Sequence, residues 1–510
     1  MNSKAVFVFL FFAALYAVFS IGHFGGDGYQ DYLIAESIVL DGNLSLFDRP
    51  QDKDDLAYEA GSIGKRGTDG KIYSSRKGFG VAFILVPFYL AGHVVSFFFK
   101  GVPHDYITML FVSFANPLIT ALSCMMVFFI AGRLGFGSRL SALLSLIYGL
   151  STMAPVYART GFGEPVMVLF MLLAVRTALW YGKGPGVYRI ALTALLLSCM
   201  FVCKISSLIF VPCFLVYVIW VMKGAKLSVS ARTGHFVLFS GVVLLVFSAI
   251  LAANFLLFGD PFSFGETKAL YITKKITMAP HVIKGFYYYL VSTGKGMFLY
   301  NIPVILALLA AGRAFKEDKK AAVLFLLIFA VNLLFFAKSF RRGSLFSWGP
   351  RYLLPSVPLL VLLSGYFLRD IRAMALKVAV FLSAAAGFLI MIPCMLVNQS
   401  KFYFFVVEKL KLEEYMINFM PDLCPIGGSW WMLVSGIVEK RGGAPPLFTY
   451  MPDYRLVEPV SSAMTGYNNM DLWSIKVANL APQFMPCVYI CLGILGVVAA
   501  FSFYKIVSEK

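Results

Sequence analysis

Charge is what this chain lacks most. Of 510 residues only 14% are Asp, Glu, Lys or Arg, and the acids number 26 against 44 Lys and Arg. Soluble globular chains average about 25% charged residues, so a water-facing coat around a large soluble core is excluded. The eight cysteines form no CxxC pair and no Cys/His cluster, which excludes a zinc framework and a disulfide-stapled secreted domain. No internal repeat, low-complexity tract or heptad pattern of charge is present, which excludes solenoids and coiled coils, and an apolar content of 59% excludes disorder. The apolar segment Ala5 to Ile21, after Lys4, ends in Val18-Phe19-Ser20-Ile21-Gly22 without a small-x-small cleavage pattern. It reads as an uncleaved first span.

The apolar residues themselves fall into membrane-length runs. A span needs about 20 of them, and runs occur at 5–21, 79–99, 107–131, 140–158, 165–181, 190–222, 235–258, 297–311, 321–337, 352–368, 374–397 and 484–504. The run 190–222 is too long for one helix and is interrupted by Lys204-Ile205-Ser206-Ser207, so it divides into two short spans that meet at a membrane face. The fold class expected is an all-α polytopic bundle of about 12 spans. The net charge of +18 then reads as topology signal spread through loops, with no nucleic-acid face.

Short cytoplasmic loops are rich in Lys and Arg. If Lys4 is inside and 79–99 lies in the interface without crossing, the inside segments hold Arg133/Arg139, Lys183/Arg189, Lys223/Lys226/Arg232, Arg313/Lys316/Lys319/Lys320, Arg369/Arg372/Lys377 and Lys505/Lys510. If it crosses, all these basic loops move outside, against the rule. The non-crossing arrangement leaves 22–78 with the adjoining run, 259–296, 338–351 and 398–483 outside. The division expected is a bundle over 1–397 with a first outer loop at 22–106, a small external cap segment at 398–483, and a final span with a tail at 484–510.

The expected spans carry essentially no central acid, whereas ion-driven transporters place ionisable groups mid-membrane. The charges gather at outer helix ends. Asp27 opens a short amphipathic helix expected from Gly28 to Leu40, among glycines that let a substrate approach; the alternative is a plain helix N-cap. Glu164, followed by Pro165, stands at another outer helix end, where an acid also suits the positive end of the helix dipole. Two such carboxylates could serve as a general base and its orienting partner, or hold a divalent Mg or Mn ion; no cofactor is required outright.

The segment Lys338 to Tyr352 packs Lys338, Arg341, Arg342 and Arg351 into one short external loop, where cations should be scarce. Guanidinium groups suit phosphate through paired hydrogen bonds, the alternatives being an anionic lipid headgroup or a local topology inversion. Arg76-Lys77 and Lys204 could meet the same anion, although Lys204 also fits a snorkelling interfacial lysine. External acids beside external cations, backed by Phe-rich helices, suit transfer from a lipid-linked phosphate. The leaving phosphate needs its growing charge neutralised, the acceptor hydroxyl needs a base, and a prenyl tail needs apolar walls.

These segments also resemble a known family. Gly26-Asp27-Gly28-Tyr29 through Ala35-Glu36-Ser37, then Asp41-Gly42-Asn43-Leu44, Asp69-Gly70 with Tyr73-Ser74 and Gly78, and Pro87-Phe88 resemble the first outer loop of bacterial GT-C glycosyltransferases. These use polyprenyl-phosphate sugars and are related to protein O-mannosyltransferases and lipid A aminoarabinose transferase. Tyr157 to Pro165 and Trp348 to Pro355 are similar to the same group, over roughly residues 1–400.

The resemblance implies a GT-C bundle with interfacial helices in the first outer loop, in a bacterial inner membrane. It matches Asp27 to the catalytic aspartate, Glu164 to the second acid, and Arg351 with the preceding arginines to the donor phosphate. Where mannosyltransferase-like members carry Asp-Glu, this chain has Asp27-Gly28, which leaves Asp31 or Glu36 as supporting acids. The activity implied moves a hexosyl or pentosyl unit from a polyprenyl-phosphate donor to a lipid, glycan or protein hydroxyl. A flippase of lipid-linked sugars, or an oligosaccharide ligase or polymerase using a diphosphate donor, remains the alternative.

Overall fold

A computed structural model describes residues 3–24, 27–46, 64–74, 78–99, 101–264, 278–338, 347–404, 406–407, 411–412, 414–438 and 470–508. Among them, eight helices are long and apolar enough to cross a membrane: His104–Arg133, Glu164–Lys183, Ile205–Gly224, Val229–Phe258, Lys319–Ala337, Arg351–Leu368, Met374–Leu396 and Pro482–Ser508. Shorter apolar helices occupy Ser3–Val18, Gly80–Ser96 and Val187–Cys203. The chain is a multi-pass helical membrane protein. The expected run at 140–158 is instead a helix over Ser138–Ser151, an extended break at Thr152 and a short helix over Ala154–Ala158. The run at 297–311 is likewise broken, into Met297–Tyr300, a 3-10 turn over Ile302–Ile305 and Leu306–Glu317.

The interruption at 190–222 falls at Lys204. Helix Val187–Cys203 stops, Lys204 is extended (φ −153°, ψ 110°), and the chain resumes in a 3-10 turn over Ile205–Phe210 before helix Val211–Gly224. An extended residue between two helices throws its side chain off both axes. That is what frees Lys204 to reach a neighbouring helix end.

Three layers of packing organise the chain. The largest core joins the long helices, with fully buried Tyr16, Tyr148, Tyr157 and Trp348 among its aliphatic residues. A second core belongs to the first outer loop, where Tyr32, Leu33 and Ile34 of helix Asp27–Leu40 pack on Val81, Leu85 and Tyr89 of helix Gly80–Ser96. The latter helix leaves Phe83, Val94, Phe97 and Phe98 exposed on its other side, an apolar edge suited to lipid. A third, small core around Phe402, Tyr403, Ile417 and Trp431 lies in the described part of the segment 398–483.

The loop also contains an element outside the all-α expectation. Strands Gly64–Arg66 and Ile72–Ser74 pair antiparallel, with Lys65 opposite Tyr73, around a turn at Asp69-Gly70 where Gly70 has φ +85°. Thr68 fastens this hairpin to the end of helix Val229–Phe258, its backbone N–H donating to the Leu257 carbonyl at 2.9 Å and its hydroxyl to that of Leu256 at 2.9 Å.

Three of the membrane-length helices have one end among the charged residues singled out above and the other among basic loops. Glu164 begins the helix that ends at Lys183, Arg351 begins the one that leads to Arg369, and Lys204 precedes the segment that ends near Lys223. At the far end, the Lys183 ammonium donates to the Arg133 carbonyl at 3.1 Å and Arg369 pairs with Glu317 at 2.6 Å. A helix of 20 residues is about 30 Å long, so the two groups of charge are separated by roughly the bilayer core.

Candidate functional site

Glu164 is brought into place by glycine. A Cβ on Gly28 would lie 2.6 Å from the Gly161 Cα, and one on Gly161 would lie 2.7 Å from the Phe24 ring. The start of helix Asp27–Leu40 and the loop before Glu164 are therefore in backbone contact. The glycines expected to admit a substrate serve here to let two loops touch, which sets Asp27 beside Glu164. Asn116 fixes the second loop from behind, its side-chain amide donating to the carbonyls of Thr160 at 2.5 Å and Phe162 at 2.9 Å.

Arg159 anchors the same loop more deeply. Its guanidinium, buried, donates to the carbonyls of Phe19 at 3.0 Å, Cys394 at 2.6 Å and Asp471, so the first helix's exit, the end of helix Met374–Leu396 and the residues before helix Trp473–Leu480 all converge on one side chain. Asp471 is in turn bonded to Lys476, which also reaches His23 and the Ile21 carbonyl. Burial pushes the Asp471 carboxyl up, but Arg159 and Lys476 outweigh it and hold it below the usual carboxylate range. Burial and Lys476 both push the His23 imidazole below its usual value.

Arg351 begins the 3-10 turn over Arg351–Ser356. Gly349 takes a left-handed conformation (φ +53°) against Met153 and Tyr300, and the Tyr157 hydroxyl donates to the Trp348 carbonyl at 2.6 Å. The Tyr403 hydroxyl donates to the Ser347 carbonyl at 2.9 Å, and the buried Lys295 ammonium donates to the same oxygen. Burial first, and Arg351 second, push Lys295 well below the usual lysine range. These ties fix the turn from which Arg351 projects.

The four groups then form one chain of charge. Arg351 Nη1 stands 3.3 Å from Asp27 Oδ2, Arg351 Nε 3.3 Å from Glu164 Oε1, and Lys204 Nζ donates to that same Glu164 oxygen at 2.6 Å. The Arg351 guanidinium lies 4.2 Å over the Phe162 ring, and its Nη2 donates to the Tyr352 hydroxyl at 3.3 Å. The two acids differ in access: the Glu164 side chain is 3% exposed and Asp27 39%. Glu164 is a buried counter-ion to two cations, whereas Asp27 is exposed. Against Glu164 and Lys204 lies a small recess with room for about one water, lined also by Ser206, Asn332, Phe336 and Tyr352.

The remaining sequence candidates fall elsewhere. Asp31 is buried one helical turn beyond Asp27, near Cys203. Glu36 accepts from the Tyr89 hydroxyl at 2.9 Å, at the far end of its helix, in a polar group that includes His93 and His104. Arg76, Lys77, Arg341 and Arg342 lie outside the described residues. For a divalent metal the donor set fits poorly, because the Arg351 guanidinium already occupies the place between Asp27 and Glu164. Sequence reasoning passed over Phe162, Arg159, Asn116, Lys295 and Asn332. Lys295 had one visible signal, its place between Gly294 and Gly296.

No protein-family model matches the chain, and no curated protein does. Among solved structures, it is similar to ArnT from Cupriavidus metallidurans bound to undecaprenyl phosphate, at 15% identity over 94% of this chain and 79% of that one, with a TM-score of 0.47. It is similar to the apo form of that protein at 14% identity over 94% and 78%, with a TM-score of 0.48. AglB from Archaeoglobus fulgidus, an archaeal oligosaccharyltransferase in complex with an inhibitory peptide and a dolichol-phosphate, is similar at 12% identity over 91% of this chain and 60% of that one, with a TM-score of 0.47.

Proposed function

We propose that this protein is a GT-C-type membrane glycosyltransferase that moves one sugar from a polyprenyl-phosphate donor to a hydroxyl on a lipid, glycan or protein at the outer face of a bacterial inner membrane. The observation that carries the proposal is Arg351 standing between Asp27 and Glu164, with Lys204 on the same Glu164 oxygen. A phosphate entering this cluster competes with the carboxylates for Arg351 and Lys204 through charge-assisted hydrogen bonds. As Arg351 turns to the phosphate, Asp27 is released from its ion pair and becomes available as a base.

In the transfer step the acceptor oxygen attacks the anomeric carbon and the bond from that carbon to the phosphate oxygen breaks. The acceptor proton passes to the Asp27 carboxylate. The electron pair of the broken bond stays on polyprenyl phosphate, whose added charge falls to Arg351 and Lys204. Glu164 keeps both cations in register and takes no proton. A single displacement inverts the sugar carbon.

The test is incubation of the purified protein with a polyprenyl-phosphate hexose or pentose and counting of free polyprenyl phosphate and glycosylated acceptor. Stoichiometric release of both supports transfer. Movement of intact donor across a vesicle membrane with its glycosyl bond unbroken would identify a flippase and refute it.

A further inference from the structure

Arg176 is the one charged residue between Glu164 and Lys183 in the apolar helix that those two residues bound. It stands two turns short of the Lys183 end, about 10 Å into the membrane-length segment, and it is exposed. Ionisable residues inside a span normally face the bundle interior or pair with an opposite charge. Arg176 does neither, for no carboxylate pairs with it among the described residues. The rule that gathers Lys and Arg into short loops does not cover it, because it lies within the helix. Its long stem lets the guanidinium snorkel to the phosphate level of the bilayer, which explains its reach and leaves its counter-ion to be named.

Three helices bring cations together here. On helix His104–Arg133, Phe129 and Arg133 lie one turn apart on one face, and on helix Glu164–Lys183 so do Arg176 and Trp180. The two faces meet where the Arg176 guanidinium lies 5.3 Å from the centroid of the Phe129 ring. Arg189, at the start of helix Val187–Cys203, lies 4.4 Å from the centroid of the Trp180 ring and donates to the carbonyls of Gly184 at 2.5 Å and Trp180 at 3.3 Å. The charges that act on the half-buried Arg133 guanidinium are those of Arg176 and Arg189. None of the three forms an ion pair among the described residues. Like charges gathered at the edge of a low-dielectric layer repel one another unless an anion lies among them. The depth of the cluster is marked by Tyr188, which is 68% exposed and meets the Trp180 ring edge-on at 6.2 Å, since Trp and Tyr collect at the headgroup level.

We infer that Arg133, Arg176 and Arg189 bind the phosphate of an anionic phospholipid, in the leaflet at the bundle end opposite Glu164 and Arg351. Guanidinium groups take phosphate through paired hydrogen bonds, and basic pockets between membrane helices hold lipid headgroups. A lipid carries its phosphate at the depth that Arg176 reaches, whereas a free phosphate ion would have to leave water to arrive there. The bound lipid ties one end of three helices together from outside the bundle. The inference goes beyond the transferase reading and does not depend on it.

The experiment titrates the full-length protein in detergent with fluorescently labelled phosphatidylglycerol and, separately, with phosphatidylcholine carrying the same label. The native protein should bind phosphatidylglycerol roughly 10- to 100-fold more tightly. Arg176→Gln and Arg133→Gln should each weaken phosphatidylglycerol about fivefold, the equivalent of about 1 kcal/mol per cation, and leave phosphatidylcholine unchanged. If Arg133→Gln does not fold, the exposed Arg176 supplies the readout. Lys316→Gln removes an exposed cation from helix Leu306–Glu317, which carries none of the three arginines, and should leave both affinities unchanged. Equal affinity of the native protein for the two lipids overturns the inference, as does native-like binding by the arginine variants. An equal loss in Lys316→Gln would reveal only a general attraction to a basic surface and would also overturn it. Displacement of the labelled lipid by millimolar inorganic phosphate would assign the cluster to a soluble anion and overturn the lipid assignment. Sugar transfer enters none of these readouts, so failure here leaves the transferase reading standing.

Discussion

Arg351 Nη1 and Asp27 Oδ2 are 3.3 Å apart although 324 residues separate them in the chain. The guanidinium is 10% exposed and its carboxylate partner 39%, so the pair sits where a buried cation meets an accessible acid. The same guanidinium touches Glu164, which makes Arg351 the hinge of the site.

Arg351→Lys is therefore not conservative. An ammonium cannot span two carboxylates from one planar fork. Turnover with a polyprenyl-phosphate sugar is expected to fall roughly 100- to 1,000-fold, the scale of losing one charge-stabilising donor. Steady-state kinetics checks this, and full activity in the lysine variant would contradict it.

Gly28→Ala tests the backbone contact with Gly161. The added Cβ would sit 2.6 Å from the Gly161 Cα, and its neighbour there is main chain that cannot swing aside. The two loops must separate by about an ångström, which by itself costs on the order of 100-fold in rate when reacting groups are displaced. Kinetics alongside thermal unfolding in detergent should show lost turnover together with a lowered melting temperature, because the buried clash also strains the fold; native turnover would contradict the backbone contact.

Much of this site was legible because its charges break a rule that the rest of the chain obeys. Asp27, Glu164, Lys204 and Arg351 stand at helix ends in an otherwise apolar sequence, and the interruption at Lys204 was visible in four consecutive residues. The pairing among them was not legible, since it depends on which helix ends meet, and Asp31 and Glu36 were equally good partners on spacing alone. Asn332 was invisible to a search for charge. The hairpin at 64–74 escaped because three-residue strands are too short to show alternation, and Arg159 because its partners are backbone carbonyls contributed by distant segments.

The segment at 470–480 should be acid-sensitive. Asp471, held below its usual pKa, contributes stability that is present above the unfolded value of about 3.9 and is lost as pH falls through the lower folded value. His23, also depressed, adds a loss of the same sign that begins as pH falls below about 6.5. Melting temperatures measured from pH 7 downward should decline in two stages. Asp471→Asn should lower stability at pH 7 and remove the more acidic stage. An unchanged acid limb in that variant would contradict the assignment.

Chelation provides a further check. Because the positive charge between Asp27 and Glu164 is a guanidinium, adding EDTA is expected to leave the initial rate of transfer unchanged. A loss restored by Mg or Mn would place a metal at the acids instead.

The most direct test is the single-turnover rate of Asp27→Asn, followed as free polyprenyl phosphate released from a labelled donor. Replacing a general base should slow release by roughly 100- to 10,000-fold while donor affinity persists through Arg351 and Lys204. Near-native release by this variant would contradict the assignment of Asp27 as the base.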